Sequence, residues 1–208
     1  MNFSDALSIE KGLTAIIGSG GKTSLLLRLA QELSAHRVIV TTSTHIYPPE
    51  NIPVVTEVKG DFSLICVGTP CANGKLTAPK QSFECLAALA DYVLVEADGS
   101  KHLPLKAHLP HEPVIPEGAR VVCVVGASGL NQPIAEVVHR HERFFELTGS
   151  NIATPEAVSK ALLEENLAST YVINQADCNE EAARRLAKFL PHKTILTSLK
   201  KGEIICSY

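Results

Sequence analysis

Seven consecutive residues, Gly18-Ser19-Gly20-Gly21-Lys22-Thr23-Ser24, carry the densest chemistry in this 208-residue chain. Glycines let a backbone approach phosphate oxygens with its N–H groups turned toward them. A lysine beside them neutralises the outer phosphates of a triphosphate, and a threonine hydroxyl ligands Mg²⁺. The stretch follows the apolar run Leu13-Thr14-Ala15-Ile16-Ile17 and precedes Leu25-Leu26-Leu27-Arg28-Leu29-Ala30, so it reads as a turn between a buried strand and a helix. All seven residues are therefore expected on a nucleoside triphosphate. The spacing is short: G-x-x-x-x-G-K-[ST] requires glycine at 16, where this chain has Ile16, and the loop reads G-x-x-G-K-T instead.

Four further motifs stand just past predicted strand ends. Thr41-Thr42-Ser43-Thr44-His45 offers hydroxyls that either orient Mg²⁺ or simply continue a strand into a turn. Val95-Glu96-Ala97-Asp98-Gly99-Ser100 places two carboxylates on alternate positions, so on a continuing strand Glu96 and Asp98 face one side. Together with Thr23 they are the expected metal-holding or nucleophile-positioning groups, since Mg²⁺ takes one or two carboxylates plus phosphates and water. Lys106, in a loop that also carries His108, His111 and Glu112, is a candidate phosphate contact. Loop histidines are more often solvated than metal-bound, and zinc is not expected there. Asn174-Gln175-Ala176-Asp177 sits where GTP-binding proteins read Asn-Lys-x-Asp. An aspartate accepts both guanine ring N–H donors, so Asn174 and Asp177 are expected on the base, with Ser198 in a second base-side loop and GTP favoured over ATP. Arg140, in Val138-His139-Arg140-His141-Glu142-Arg143-Phe144-Phe145, either stabilises charge on a transferred phosphoryl group or lies on the wet face of a helix. With Lys22, Glu96 and Asp98 it completes the expected catalytic set.

The elements that must position these groups alternate. Strands are predicted at 13–17, 37–42, 62–67, 92–97, 121–125, 170–174 and 193–197, and helices at 22–35, 80–90, 133–147 (with a possible break), 155–166 and 179–190. Runs such as Val93-Leu94-Val95 and Val121-Val122-Cys123-Val124-Val125 are apolar on consecutive positions, the mark of strands buried on both faces in a parallel sheet. The expectation is an α/β, three-layer, doubly wound domain over 1–208: a mostly parallel sheet of about seven strands, with a P-loop after the first. Ligands in such folds lie at the carboxyl ends of the strands. The segment 98–120, with Pro104, Pro110, Pro113 and Pro116, is long for a connection and reads as a functional loop.

Composition narrows the function classes. Hydrophobic residues make up 45% and charged residues 20%, which suits a globular core. The net charge of −3 argues against a nucleic-acid surface. No basic segment precedes an apolar stretch at the N-terminus, and no apolar run approaches the roughly 20 residues of a membrane span. A cytoplasmic location is expected. The six cysteines lack a C-x-x-C pair and read as reduced thiols, with Cys66, Cys123 and Cys206 acting as small hydrophobes in strands.

The short loop resembles that of the Mur ligase and folylpolyglutamate ligase group, although this chain lacks length for that group's additional domains. The whole pattern resembles a more particular family. Gly18-Ser-Gly-Gly-Lys-Thr-Ser, Thr41-Thr-Ser-Thr, Leu94-Val-Glu-Ala-Asp-Gly-Ser-Lys, Pro104-Leu-Lys, His111-Glu-Pro-Val-Ile-Pro, Val138-His-Arg and Asn174-Gln-Ala-Asp together look like the selenium cofactor biosynthesis family YqeC. That resemblance implies an accessory role for selenium-dependent molybdenum hydroxylases, with the hydroxylase or its maturation proteins as partners and neither nucleic acid nor membrane. Two functions remain open: an Mg²⁺-dependent hydrolase or phosphoryl or nucleotidyl transferase, and a non-catalytic, nucleotide-gated chaperone or scaffold that delivers a cofactor.

Overall fold

Runs of β-branched and other apolar residues form nine strands of a mostly parallel sheet flanked by helices, an α/β fold. The computed structural model describes residues 2–190 and 193–208. It divides into two compact units, the first comprising Met1–Ile16, Thr23–Asp98 and Val114–Arg120, the second Ile17–Lys22, Gly99–Pro113 and Val121–Tyr208.

In the first unit, β1 (Gly12–Gly18, through Ile16) is followed by α1 (Lys22–Glu32, from Thr23), β2 (Val38–Thr42), β3 (Val54–Val55), β4 (Leu64–Val67), α2 (Phe83–Leu89) and β5 (Tyr92–Glu96). Here the strand order is β1-β5-β2-β4-β3, all parallel. A core of Ile39, Ile65, Val67, Leu86, Val93 and Val95 joins α2 to this part of the sheet. Each side chain of that size contributes about 1.5–3 kcal/mol when fully buried. Helix α1 buries Leu25, Leu26, Leu29 and Ala30, two i, i+4 pairs that form its apolar stripe. Ser82 caps α2, its hydroxyl accepting from the Cys85 N–H at 3.2 Å.

In the second unit, β6 (Arg120–Gly126, from Val121) is followed by α3 (His141–Thr148), α4 (Pro155–Glu165), β7 (Thr170–Asn174), α5 (Glu180–Phe189), β8 (Lys193–Ser198) and β9 (Glu203–Ser207). The strand order is β6-β7-β8-β9, with only β8 and β9 antiparallel. Thr154 caps α4 with Pro155 at the first helical position, and Asn166 closes it in the left-handed conformation. Two-residue strands Leu105–Lys106 and Val138–His139 pair in parallel.

All seven predicted strands are present. The main sheet also gains β3, too short to leave a pattern, and β9, which returns from β8 through Leu199-Lys200-Lys201-Gly202; the two-residue strands His45–Ile46, Thr69–Pro70 and Leu76–Thr77 form a small sheet of their own. The helix predicted over 133–147 is broken: one turn at Ile134–Val137, the short strand Val138–His139, then Arg140 at φ 68° before α3. Cys66 and Cys123 are buried and Cys206 half-buried, and all six thiols are free. Burial pushes the Cys66 thiol up to about 12.

Candidate functional site

In the second unit the loop after β1 is pressed against neighbouring backbone. A Cβ on Gly18 would lie 2.3 Å from the Val124 carbonyl oxygen, and one on Gly20 would lie 2.5 Å from Gly126 Cα. Both glycines also adopt positive φ, so no larger residue fits either place. Ser19 is held by its N–H to the Val124 carbonyl at 2.8 Å and by its hydroxyl to the Leu103 carbonyl. Lys22 is buried and curls back over the loop, donating from Nζ to the Gly18 carbonyl at 2.7 Å and to Ser100 Oγ at 3.1 Å. The ammonium is thereby fixed at the glycine turn, where it brings a positive charge to the loop.

In the first unit the residue after that lysine meets the acidic strand end. Thr23 Oγ1 donates to Glu96 Oε2 at 2.7 Å. Register places Glu96, the last residue of β5, opposite Ile16 and Thr42. The Thr42 hydroxyl donates to the Glu96 carbonyl at 2.8 Å, which shapes the chain as it leaves β5. Thr41 donates instead to the Val67 carbonyl at 2.7 Å and braces the sheet. Glu96 and Asp98 are both buried, at 8% and 1% exposure. Hydroxyl and carboxylate oxygens are hard donors that suit Mg²⁺. Among the described residues no group of three or more His, Cys, Asp or Glu could hold a metal unaided. An ion held by these oxygens would need further ligands from outside the protein. Ser24 is exposed on the first turn of α1.

The predicted functional loop is charged and anchored. Lys106, its side chain fully buried, donates to the Gly99 carbonyl at 2.6 Å and pairs with Glu112 Oε2 at 2.9 Å. Arg140 Nη2 donates to the other oxygen of Glu112 at 3.0 Å. Burial alone would raise the Glu112 pKa, but hydrogen bonds from Lys106 and Arg140 outweigh it and hold the carboxyl below its usual range. His139 is pushed below the ordinary imidazole value by burial first and by the Lys106 and Arg140 charges next. His108 pairs with Glu165, Nδ1 to Oε2 at 2.7 Å, while its backbone N–H donates to Oε1 at 2.5 Å. His111 is exposed.

At the end of β7, Asn174 Nδ2 donates to the Gly20 carbonyl at 2.7 Å and its Oδ1 accepts the Leu199 N–H at 2.9 Å. One buried amide thus ties the glycine loop to the turn after β8. Gln175 accepts from the Ser128 hydroxyl at 2.6 Å. Asp177 is exposed and its pKa is lowered by hydrogen bonds from Lys201, 3.0 Å away, and from buried Ser198. An exposed pair of this kind is screened by solvent and adds little to stability.

The family model described as YqeC protein matches residues 14–142, more than half of the chain. The chain belongs to the YqeC family. It is similar to the uncharacterized protein YqeC of Escherichia coli strain K12, 36% identical over 165 residues, or 69% of this chain. The match spans only 62% of that relative's length. No solved structure matches the chain. The YqeC match encloses Lys22, Thr23, Glu96, Asp98, Lys106, Glu112 and Arg140, and it ends before Asn174, Asp177 and Ser198.

Within this YqeC chain the fold brings together Gly18, Ser19, Gly20, Gly21, Lys22 and Asn174 in one unit and Thr23 with Glu96 in the other. Arg140 and Lys106 form a separate cluster through Glu112. Two partners were not assigned these roles from sequence. Ser100 was read only as part of the acidic motif, yet it holds Lys22. Glu112 enters the sequence reading only as a member of the loop that carries Lys106. The signal for it was electrostatic: two cations, Lys106 and Arg140, call for a carboxylate from the same loop.

Proposed function

We propose that this protein binds a nucleoside triphosphate with Mg²⁺ and hydrolyses it or transfers a phosphoryl or nucleotidyl group from it. The observation that carries the reading is the 2.7 Å hydrogen bond between Thr23 and Glu96, residues 73 positions apart in sequence. It sets a hydroxyl immediately after the glycine-lysine loop against a strand-end carboxylate. In this reading the N–H groups of Gly20 and Gly21 cradle phosphates, and Lys22 neutralises charge that grows on the outer phosphate or leaving group. Thr23, Glu96 and Asp98 would hold Mg²⁺, which supplies charge neutralisation and orients phosphate oxygens. Arg140, held by Glu112, is the candidate for a second positive charge at the transferred group. Asp177 and Ser198 take the base, with guanine preferred. In the same reading the activity serves maturation of a selenium or molybdenum cofactor, with a molybdenum hydroxylase or its maturation proteins as partner; the resemblance noted in the sequence supports this part.

A second reading is a nucleotide-gated chaperone without turnover of its own. Asn174 favours it, because one side chain links the glycine loop to the turn after β8, so loop rearrangement on binding would be felt at both. A thermal-shift panel of ATP, GTP and CTP, each with and without Mg²⁺, tests the shared premise. A ligand at 100 times its dissociation constant stabilises the fold by about 2.7 kcal/mol. GTP with Mg²⁺ is expected to give the largest rise in unfolding temperature, and no rise with any triphosphate contradicts both readings. Phosphate or pyrophosphate release over many turnovers without a partner then selects the enzyme.

A further inference from the structure

The first unit contains a cavity of about 550 Å³ on the outer side of α1. Its lining includes Leu26 and Leu27 of α1, Val40 and Leu64 of the sheet, and Ile46 and Ile52. The segment Tyr47-Pro48-Pro49 closes the remaining side, and Thr23, Gln31, Glu50 and Asn51 place polar groups at its margin. Among the described residues the lining includes no lysine, arginine or histidine. Tyr47 is 61% exposed, and Lys75 Nζ stands over its ring, 4.8 Å from the centroid, a cation–π contact on one face.

We propose that this cavity is a binding site for a small, uncharged, mainly apolar ring compound. The volume lies within the range of about 300–1,000 Å³ typical of small-molecule sites, which are apolar with a few orienting polar groups. Aliphatic side chains together with a tyrosine and two prolines suit an apolar ring. Glu50, the single carboxylate of the lining, is balanced by Lys75 over the Tyr47 ring, so the cavity offers no net positive charge to hold an anion. A triphosphate therefore does not belong here, although Thr23 is common to this cavity and to the proposed nucleotide site. The inference stands independently of the nucleotide reading.

The test uses Nile red, a neutral flat dye whose fluorescence rises in apolar surroundings, titrated into the full chain. Saturable binding with one dye per chain is expected. Leu27→Trp and Ile52→Trp fill the cavity from two half-buried lining positions, one on α1 and one in the loop before β3. Each is expected to weaken the dye by at least about tenfold while leaving the unfolding temperature near that of the parent. Dye affinity unchanged in both variants, or no saturable binding in the parent, overturns the proposal. Tighter binding of the anionic dye 1-anilinonaphthalene-8-sulfonate at the same site overturns its charge argument. Sedimentation of the parent as a dimer that Leu27→Trp dissolves would make the cavity a subunit interface and overturn it as well. Lys22→Ala is expected to leave dye binding intact, so loss of triphosphate binding in that variant separates the failure of one site from that of the other.

Discussion

Thr23 and Glu96 show how much one side-chain pair has to supply. A threonine that only capped its helix would have no need of a carboxylate 73 residues away, and a buried glutamate needs a partner that compensates its charge. Glu96→Gln keeps a hydrogen-bonding group there and removes the charge. In the presence of Mg²⁺ the variant is expected to bind triphosphate at least about tenfold more weakly. With chelator present its affinity should match the parent's, and calorimetric titration under both conditions checks this. His139 gives a second prediction. Its folded pKa lies below 6.5, so the unfolded chain takes up its proton first as the pH falls. Stability is therefore full above pH 6.5 and declines below it, and Glu112 adds a decline of the same sign below 4.5. The unfolding temperature is expected to fall on acidification through the imidazole range, and His139→Gln should flatten that part of the profile.

At the scale of elements, the glycine loop depends on contact as much as on conformation. Gly20→Ala adds a Cβ 2.5 Å from Gly126 Cα at a positive φ, a steric conflict on top of backbone strain. It is expected to destabilise the fold by about 2–4 kcal/mol in denaturant unfolding. Gly60→Ala, also at positive φ but in open space, should cost only about 1–2 kcal/mol. Equal losses at the two positions would show that packing against Gly126 is unimportant.

The same scale explains what could be read in advance. Strands β1, β2, β5, β6, β7 and β8 announce themselves because burial on both faces demands unbroken apolar runs. The glycine-lysine loop was legible because phosphate chemistry restricts residue types in a short window. The break at Arg140 was only half legible: Val138 and His139 pair with Leu105 and Lys106, a contact 33 residues distant that overrides the local helical pattern. Asn174 was read for its place after β7, but its double hydrogen bond depends on two loops far away in sequence. Glu112 was hidden for the same reason, since nothing local ties it to Arg140.

At the scale of the whole molecule, the strand ends define what the fold offers. Gly18, Thr42, Glu96, Gly126, Asn174 and Ser198 all terminate parallel strands, the ends at which α/β sheets bind ligands. No helix among the described residues is long and apolar enough to cross a membrane. The membership in the YqeC family rests on the part of the chain that holds the glycine loop, the acidic strand end and the Lys106–Glu112–Arg140 cluster, so these are the groups whose chemistry relatives can be asked to share.

Isothermal titration of GTP and ATP with Mg²⁺ into the parent protein and into Lys22→Ala tests the central claim most directly. The account predicts saturable binding in the parent and none in the variant, with both folded by circular dichroism. Triphosphate affinity undiminished in Lys22→Ala, or a parent that binds neither nucleotide, would contradict it.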